Sequence, residues 1–242
     1  MAKARAFPHQ VVERYGFAWA CIGEPQNDVP IYDEWNDDSY LKVHAGPFVF
    51  HANGFRSLEN FLDITHFPFV HGDVNGIATE PDTIKPYTVE EIDGGGLATS
   101  PISVLQPGGD ARGVLVRSDY VYKALRPLVG RFRKDIQDIG SDNQPIEGAV
   151  SHFATFCTVQ MVEENHSIVR ISGALDIKPA PSVSSIVERY NVIFTQDRDI
   201  IETQRPERIP ADLRYELHHR TDLMGQRYRA WLRSMNITYG VI

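Results

Sequence analysis

The amino-acid sequence predicts an α+β fold, a curved antiparallel sheet packed against long helices. Three observations point there. Before residue 180 the chain reads mostly as apolar or alternating runs punctuated by Gly, Pro and polar turns, which is how strands read. Few helical patterns separate those runs, so the strands are expected to pair antiparallel. After residue 180 two long stretches carry apolar residues at three- and four-residue spacing, which is helical.

The strands come in order. Residues 17–22 are an apolar run closed by Gly23-Glu24-Pro25, and residues 40–52 mix β-branched, aromatic and small side chains. Residues 113–125 contain the alternating VLVRSDYVY, and residues 152–162 and 168–177 form a pair around the polar turn EENHS. Between them, Leu58, Phe61, Leu62 and Thr65 make a helical stripe that predicts a helix over residues 56–65. The first long helix begins after the PAPS turn. Its stripe is Val183, Ile186, Val187, Tyr190, Ile193, Phe194, Ile200 and Ile201, and Pro206 is expected to end it. The second is predicted from about residue 211, just after Pro210, to residue 235, with Leu217, Met224, Tyr228, Trp231, Leu232 and Met235 facing inward.

At 242 residues the chain can bury a substantial core, and residues 1–242 are expected to form a single domain. A net charge of −8 argues against a nucleic-acid partner, whose phosphates favour a basic face. No run approaches the ~18 apolar residues of a membrane span. The opening MAKARAFPHQ has basic residues without an apolar segment behind them, so a cytoplasmic setting is expected. The two cysteines, Cys21 and Cys157, lie in apolar contexts without Cys-x-x-Cys or Cys-x-His neighbours. They read as buried small hydrophobes and leave no thiolate-rich cluster site in this chain.

One stretch carries more polar chemistry than an apolar run normally holds: NFLDITHFPFVH, residues 60–71. At ~100° per residue, Glu59, Asp63 and His66 share a face beside the apolar stripe, with Asn60 at its edge. Pro68 lacks an N–H and is expected to break the helix, freeing His71 to swing back towards His66. Two neutral imidazoles suit iron, zinc, copper or nickel, and two histidines with one carboxylate is a common ligand set for non-haem iron(II). The carboxylate follows from the first long helix. Its stripe passes through Tyr190, Ile193 and Phe194, resumes at Ile200, Ile201 and Gln204, and has Asp197 between. A charge on a buried stripe must be paired or bound to metal. Asp199 falls on the polar side. His66, His71 and Asp197 are therefore the expected metal ligands.

With these residues in place, ENFLDITHFPFVH resembles the mononuclear-iron motif of Rieske-type non-haem iron aromatic oxygenase large subunits, Asn-x2-Asp-x2-His-x4-His, filled here by Asn60, Asp63, His66 and His71. FTQDRDIIETQRPERIP resembles the segment carrying the carboxylate ligand in the vanillate demethylase and phenylpropionate-dioxygenase-like branch, which again indicates Asp197. VERYGFAWACIGEP and ELHHRTDLMGQRYRAWLR are similar to that branch as well, so the resemblance covers nearly the whole chain. The Rieske domain that normally comes first, with its paired Cys-x-His and Cys-x2-His motifs, has no counterpart here. The resemblance thus implies the catalytic domain only, either a piece of a longer protein or a chain served by a cluster on another polypeptide.

The resemblance implies a helix-grip, START-like fold. It implies mononuclear Fe(II), no iron–sulfur cluster in this chain, and O2-dependent hydroxylation or O- or N-demethylation of an aromatic or heteroaromatic compound in its catabolism. Electrons would come from a Rieske-containing reductase or ferredoxin, and the family's assemblies are trimer-based. Asp63 would link the iron site to the cluster, and Asn60 would sit near the metal. His44, His51, His152, His166, His218 and His219 read as structural or exposed, one of His152, Phe153 and Phe156 as a pocket residue, and Phe67, Phe69 and Tyr120 to Tyr122 as core. Two other functions are compatible with these residues: a hydrophobic-ligand carrier that needs no metal, and a hydrolase using zinc in the same triad.

Overall fold

Ten strands and five helices follow one another in the computed structural model, which describes residues 8–72, 74–107, 112–142, 144–148 and 150–242. They are β1 (Gln10–Arg14), β2 (Phe17–Cys21), α1 (Asp33–Asn36), β3 (Leu41–Phe50), α2 (Gly54–Leu62), α3 (Phe67–Val70), β4 (Val89–Glu91), β5 (Leu97–Thr99), β6 (Ile102–Gln106), β7 (Val116–Arg126), β8 (Val129–Asp138), β9 (Ser151–Glu163), β10 (His166–Leu175), α4 (Val183–Ile201) and α5 (Leu223–Ser234). The opening residues 1–7 lie outside the described residues.

β1 and β2 form a separate hairpin. The other eight strands make one antiparallel sheet in the order β3-β10-β9-β8-β7-β5-β4, with β6 also paired to β7. The expected alternation is clearest in β7, where Val116, Ser118, Tyr120, Tyr122 and Ala124 all point inward and are buried. Register then builds a two-by-three patch on the inner face. Tyr120, Lys134 and Phe153 lie opposite one another across β7, β8 and β9, as do Tyr122, Phe132 and Thr155.

The helices close over this patch. α2 starts at Asn53, whose side chain accepts from the Phe55 amide. It seats Leu58 and Phe61 over Gly130, where a Cβ would stand 3.0 Å from both. α4 runs along β3, stacking Phe194 on Phe48 with ring centres 4.8 Å apart and packing Tyr190 against Phe153. A smaller cluster around Tyr15, Tyr32 and Phe156 fills the opposite face, where the Tyr32 hydroxyl donates to a backbone carbonyl.

The sequence reading needs correction in several places. β8, VGRFRKDIQD, escaped it because charged residues mask the alternation. Arg131 is paired with Glu34, and Lys134 is buried over two aromatic rings. α4 ends at Ile201 rather than at Pro206, and Ile200 is exposed. The predicted helix from residue 211 forms only from Leu223 onward. Before it come two 3-10 turns, Leu213–Tyr215 and Arg220–Asp222, and Leu217 is fully exposed. Two local forces unwind that stretch. Asp212 and Asp222 accept from the backbone amides of Arg214 and His219, which competes with helix. Glu216 is drawn inward between the buried Arg56 and Arg229, at 2.5 and 2.6 Å. Cys157 is buried as expected, whereas Cys21 is only half-buried.

Candidate metal centre

α2 stops at Leu62, and the Asp63 carboxylate makes the next turn. One oxygen accepts from Thr65 N at 3.1 Å and Thr65 Oγ1 at 2.5 Å, and the other from His66 N at 3.0 Å and His66 Nδ1 at 2.7 Å. These bonds start the one-turn helix α3, with His66 just before it and His71 just after it. Pro68 therefore opens a helix rather than breaking one, because in a first turn its missing N–H has no partner to lose. Gly76 lies against this turn: a Cβ there would sit 2.6 Å from Pro68 N. The Glu59 carboxylate is engaged away from the metal ligands. It receives a forked pair of hydrogen bonds from Arg229, at 2.5 and 2.8 Å.

The two imidazoles converge. His66 Nε2 and His71 Nε2 are 3.2 Å apart, and Asp197 Oδ1 lies 3.0 Å from His71 Nε2 and 3.5 Å from His66 Nε2. His71 is fully buried and Asp197 is 5 % exposed. The outer nitrogens are occupied: His66 Nδ1 donates to Asp63, and His71 Nδ1 donates to Gln196 Oε1 at 2.8 Å. Each ring thus turns an Nε2 lone pair inward. Asp197 Oδ1, buried, has no hydrogen-bond partner among the described residues. Lone pairs from three groups crowd one point, and that is stable only with a cation among them.

Without metal a proton takes that role. Burial opposes charge on His66, but the Asp197 and Asp63 carboxylates beside it prevail and raise its pKa to about 10. Burial likewise opposes the Asp197 anion, yet both histidines hold its pKa well below the usual carboxylate range. Two imidazoles and one carboxylate suit a transition metal, and the three ligand atoms fall within 4.8 Å of one another. The residues fit a single iron ion.

The triad lies on an inner cavity of about 50 Å³, walled by Asn60, Tyr122, Phe132, Thr155, Phe194 and their neighbours. That is room for a water or two. On the other side of His66 a wider groove of about 480 Å³ runs past Thr65, Phe69, Thr221 and Asp222. The Asp63 side chain is 30 % exposed and so is within reach of a partner. Asn60 lines the inner cavity. Of the three pocket candidates on β9, Phe153 lines the cavity. His152 is held outside it between Asp135 and Arg133, and Phe156 belongs to the opposite cluster. Phe67, Tyr120 and Tyr122 are buried on the cavity wall, while Phe69, expected in the core, is 77 % exposed. Sequence reasoning missed Gln196, Lys134, Thr155, Arg189 and Tyr190, all at the site. Tyr190 alone was signalled, as a position on the helix stripe.

The two histidines and one carboxylate meet between an antiparallel sheet and its long helix. Residues 50–236 match the family described as "Vanillate O-demethylase oxygenase C-terminal domain". The chain is 31% identical over 232 residues to the probable methylxanthine N7-demethylase NdmC of Pseudomonas sp. (strain TJI-51), covering 93% of this chain and 77% of that protein. To the methylxanthine N1-demethylase NdmA of Pseudomonas putida it is 22% identical, over 96% of this chain and 62% of the relative. The NdmA structure with caffeine superposes with a TM-score of 0.70 at 20% identity, covering 93% of this chain and 61% of that one. Dicamba monooxygenase bound to dicamba superposes with 0.64 at 14% identity, covering 94% and 67%. The chain belongs to the vanillate O-demethylase oxygenase C-terminal domain family.

Proposed function

We propose that this chain is the catalytic component of an oxygenase that demethylates a methylated aromatic or heteroaromatic compound, with one ferrous ion held by His66, His71 and Asp197. The observation that carries the reading is the meeting of two inward-turned Nε2 lone pairs with a buried, unpartnered carboxylate oxygen on the wall of an aromatic cavity. When bound, iron supplies the activation of O2 that places one oxygen atom in a substrate C–H bond. The other residues set that chemistry up. Asp63 and Gln196 keep the protons of His66 and His71 on Nδ1, and the aromatic wall excludes water.

For a methyl substrate, O2, two electrons and two protons yield a hydroxymethyl group and water. The hydroxymethyl compound then falls apart to formaldehyde and the demethylated ring. The electrons come from a Rieske cluster on another domain or chain, on a reductase or ferredoxin that docks at the groove beside Asp63. Asp63, its side chain 30 % exposed and bonded to His66, is the link, and Asn60 helps shape the site on the inner side. Residues 1–242 act as a single catalytic domain in a cytoplasmic setting, within an assembly built on trimers. The methylxanthine relatives support a heteroaromatic substrate. Among the described residues no helix is long and apolar enough to cross a membrane.

The test is iron content after anaerobic Fe(II) loading, in the wild type and in Asp197→Ala. About one iron per chain in the wild type and little in the variant are expected. Equal iron in both, or none in the wild type, overturns the three-ligand site.

A further inference from the structure

Buried polar atoms in stable proteins are hydrogen-bonded, and each exception needs a reason. Among the described residues eight buried side-chain atoms lack a partner, and two of them belong to residues on the inner cavity: Asp197 Oδ1 and Tyr122 Oη. A metal accounts for the first. No protein group among the described residues accounts for the second. Other hydroxyls on the wall are satisfied: Tyr120 Oη donates to Gln106 Oε1 at 3.0 Å, and Thr155 and Tyr190 bond each other at 2.8 Å.

Tyr122 is fixed everywhere except at its hydroxyl. Its backbone N–H donates to Thr99 Oγ1 at 3.0 Å. Its ring stacks on Tyr120, centres 5.5 Å apart at 8°, and packs against Phe132 at 5.6 Å. A phenylalanine would keep both ring contacts and remove an unpaired buried hydroxyl, whose desolvation weakens the fold. A group held against stability on the wall of a reaction cavity points to a ligand. Burial first, and then the charges of Tyr120, Asp63, Tyr87 and Asp197, keep its pKa well above the ordinary phenol value. A phenol that keeps its proton can donate a hydrogen bond from Oη.

We infer that Tyr122 is a specificity-determining residue of the proposed oxygenase, its Oη donating a hydrogen bond to an oxygen atom of the bound substrate. This rests on reading the cavity as the substrate site of the proposed oxygenase.

The test compares wild type with Tyr122→Phe in two readouts. Thermal unfolding of the metal-free chain is expected to give a Tm for the variant equal to or above the wild type. A fall of more than about 5 °C would mean a structural partner for the hydroxyl, and would overturn the inference. Calorimetric binding on zinc-loaded protein, where no turnover occurs, then uses three probes. These are caffeine, with ring carbonyls; vanillate, with a carboxylate; and 1-methylindole, with no acceptor oxygen. At least one oxygen-bearing probe should bind the wild type and lose tenfold or more in the variant, while 1-methylindole is unchanged. Whichever probe loses affinity tells carbonyl from carboxylate. Equal affinities in both proteins, or a wild type that binds neither oxygen-bearing probe, overturn the inference. Failure of the oxygenase reading looks different: the triad then takes up no metal, and the thermal readout still decides the role of Tyr122.

Discussion

Replacing Gln196 with leucine isolates the group that holds the outer nitrogen of His71. His71 Nδ1 donates to Gln196 Oε1 at 2.8 Å, and the ring is fully buried. Leucine fills similar space and accepts nothing. His71 then has two choices. It can keep the proton on Nδ1, buried and unpaired, at a cost of about 1–3 kcal/mol. Or it can move the proton to Nε2, where Asp197 Oδ1 accepts it at 3.0 Å, and lose the lone pair a metal needs. Both penalties fall on the metal-bound state, while the metal-free chain escapes by the second route. At ~1.4 kcal/mol per tenfold, the expected loss is roughly 5- to 150-fold in metal affinity, in line with the ~10–100-fold effect of such supporting partners. The assay is competition for Zn(II) against a chromophoric chelator, together with the Tm of the metal-free protein. Weaker zinc binding with a metal-free Tm within a few degrees of wild type is expected. Unchanged zinc affinity would refute the idea that Gln196 sets the proton on His71.

Two further perturbations test the scaffold. Arg229→Leu leaves Glu59, 15 % exposed at its side chain, with only Arg56 at 3.9 Å. Breaking a buried pair costs ~3–5 kcal/mol, or about 6–20 °C in Tm for a domain of this size. Burial already raises the Glu59 pKa against the pull of Arg229, and removing the arginine raises it further. A raised folded-state pKa means stability is lost as pH climbs through it. The deficit should therefore be larger at pH 8 than at pH 5 by calorimetry, and a deficit that does not change with pH contradicts the pairing. Gly76→Ala forces a Cβ to within 2.6 Å of Pro68 N. Moving α3 to relieve the clash should cost ~1–3 kcal/mol and weaken zinc binding, because α3 sets the spacing of His66 and His71. Wild-type values for both would show that the turn tolerates the shift.

The ligands were legible in the sequence because each is marked by a local pattern. His66 and His71 flank a proline in an apolar run, and Asp197 interrupts a helical stripe whose neighbours Tyr190 and Phe194 are buried. The residues that position them were less so. Pro68 was read as a breaker, since its opening of α3 depends on the four hydrogen bonds of Asp63, which spacing alone does not show. β8 was hidden because Arg131 and Lys134 are buried by partners from distant segments, Glu34 and the rings of Tyr120 and Phe153. The stretch from residue 211 carried a helical apolar period, but Glu216 is claimed by two arginines on α2 and α5. In β8 and in the stretch from residue 211 a long-range partner overrode a local preference, and a single sequence contains no trace of such pairings.

The same division runs through the metal centre. His66 is clasped by Asp63, three residues earlier, so its support lies within one turn of chain. His71 is clasped by α4 from 125 residues away, at both nitrogens and by consecutive residues: Gln196 holds Nδ1 and Asp197 faces Nε2. Consecutive helix positions diverge by ~100°. One can therefore face the ligand nitrogen while the other reaches around to the far side of the ring. That arrangement makes the placement of α4 against α3 the step that completes the site. The α2–α3 turn alone can orient one imidazole, but the second imidazole and the carboxylate acquire their geometry together, only when α4 packs along β3. Metal affinity should therefore depend on that long-range packing as strongly as on the local turn.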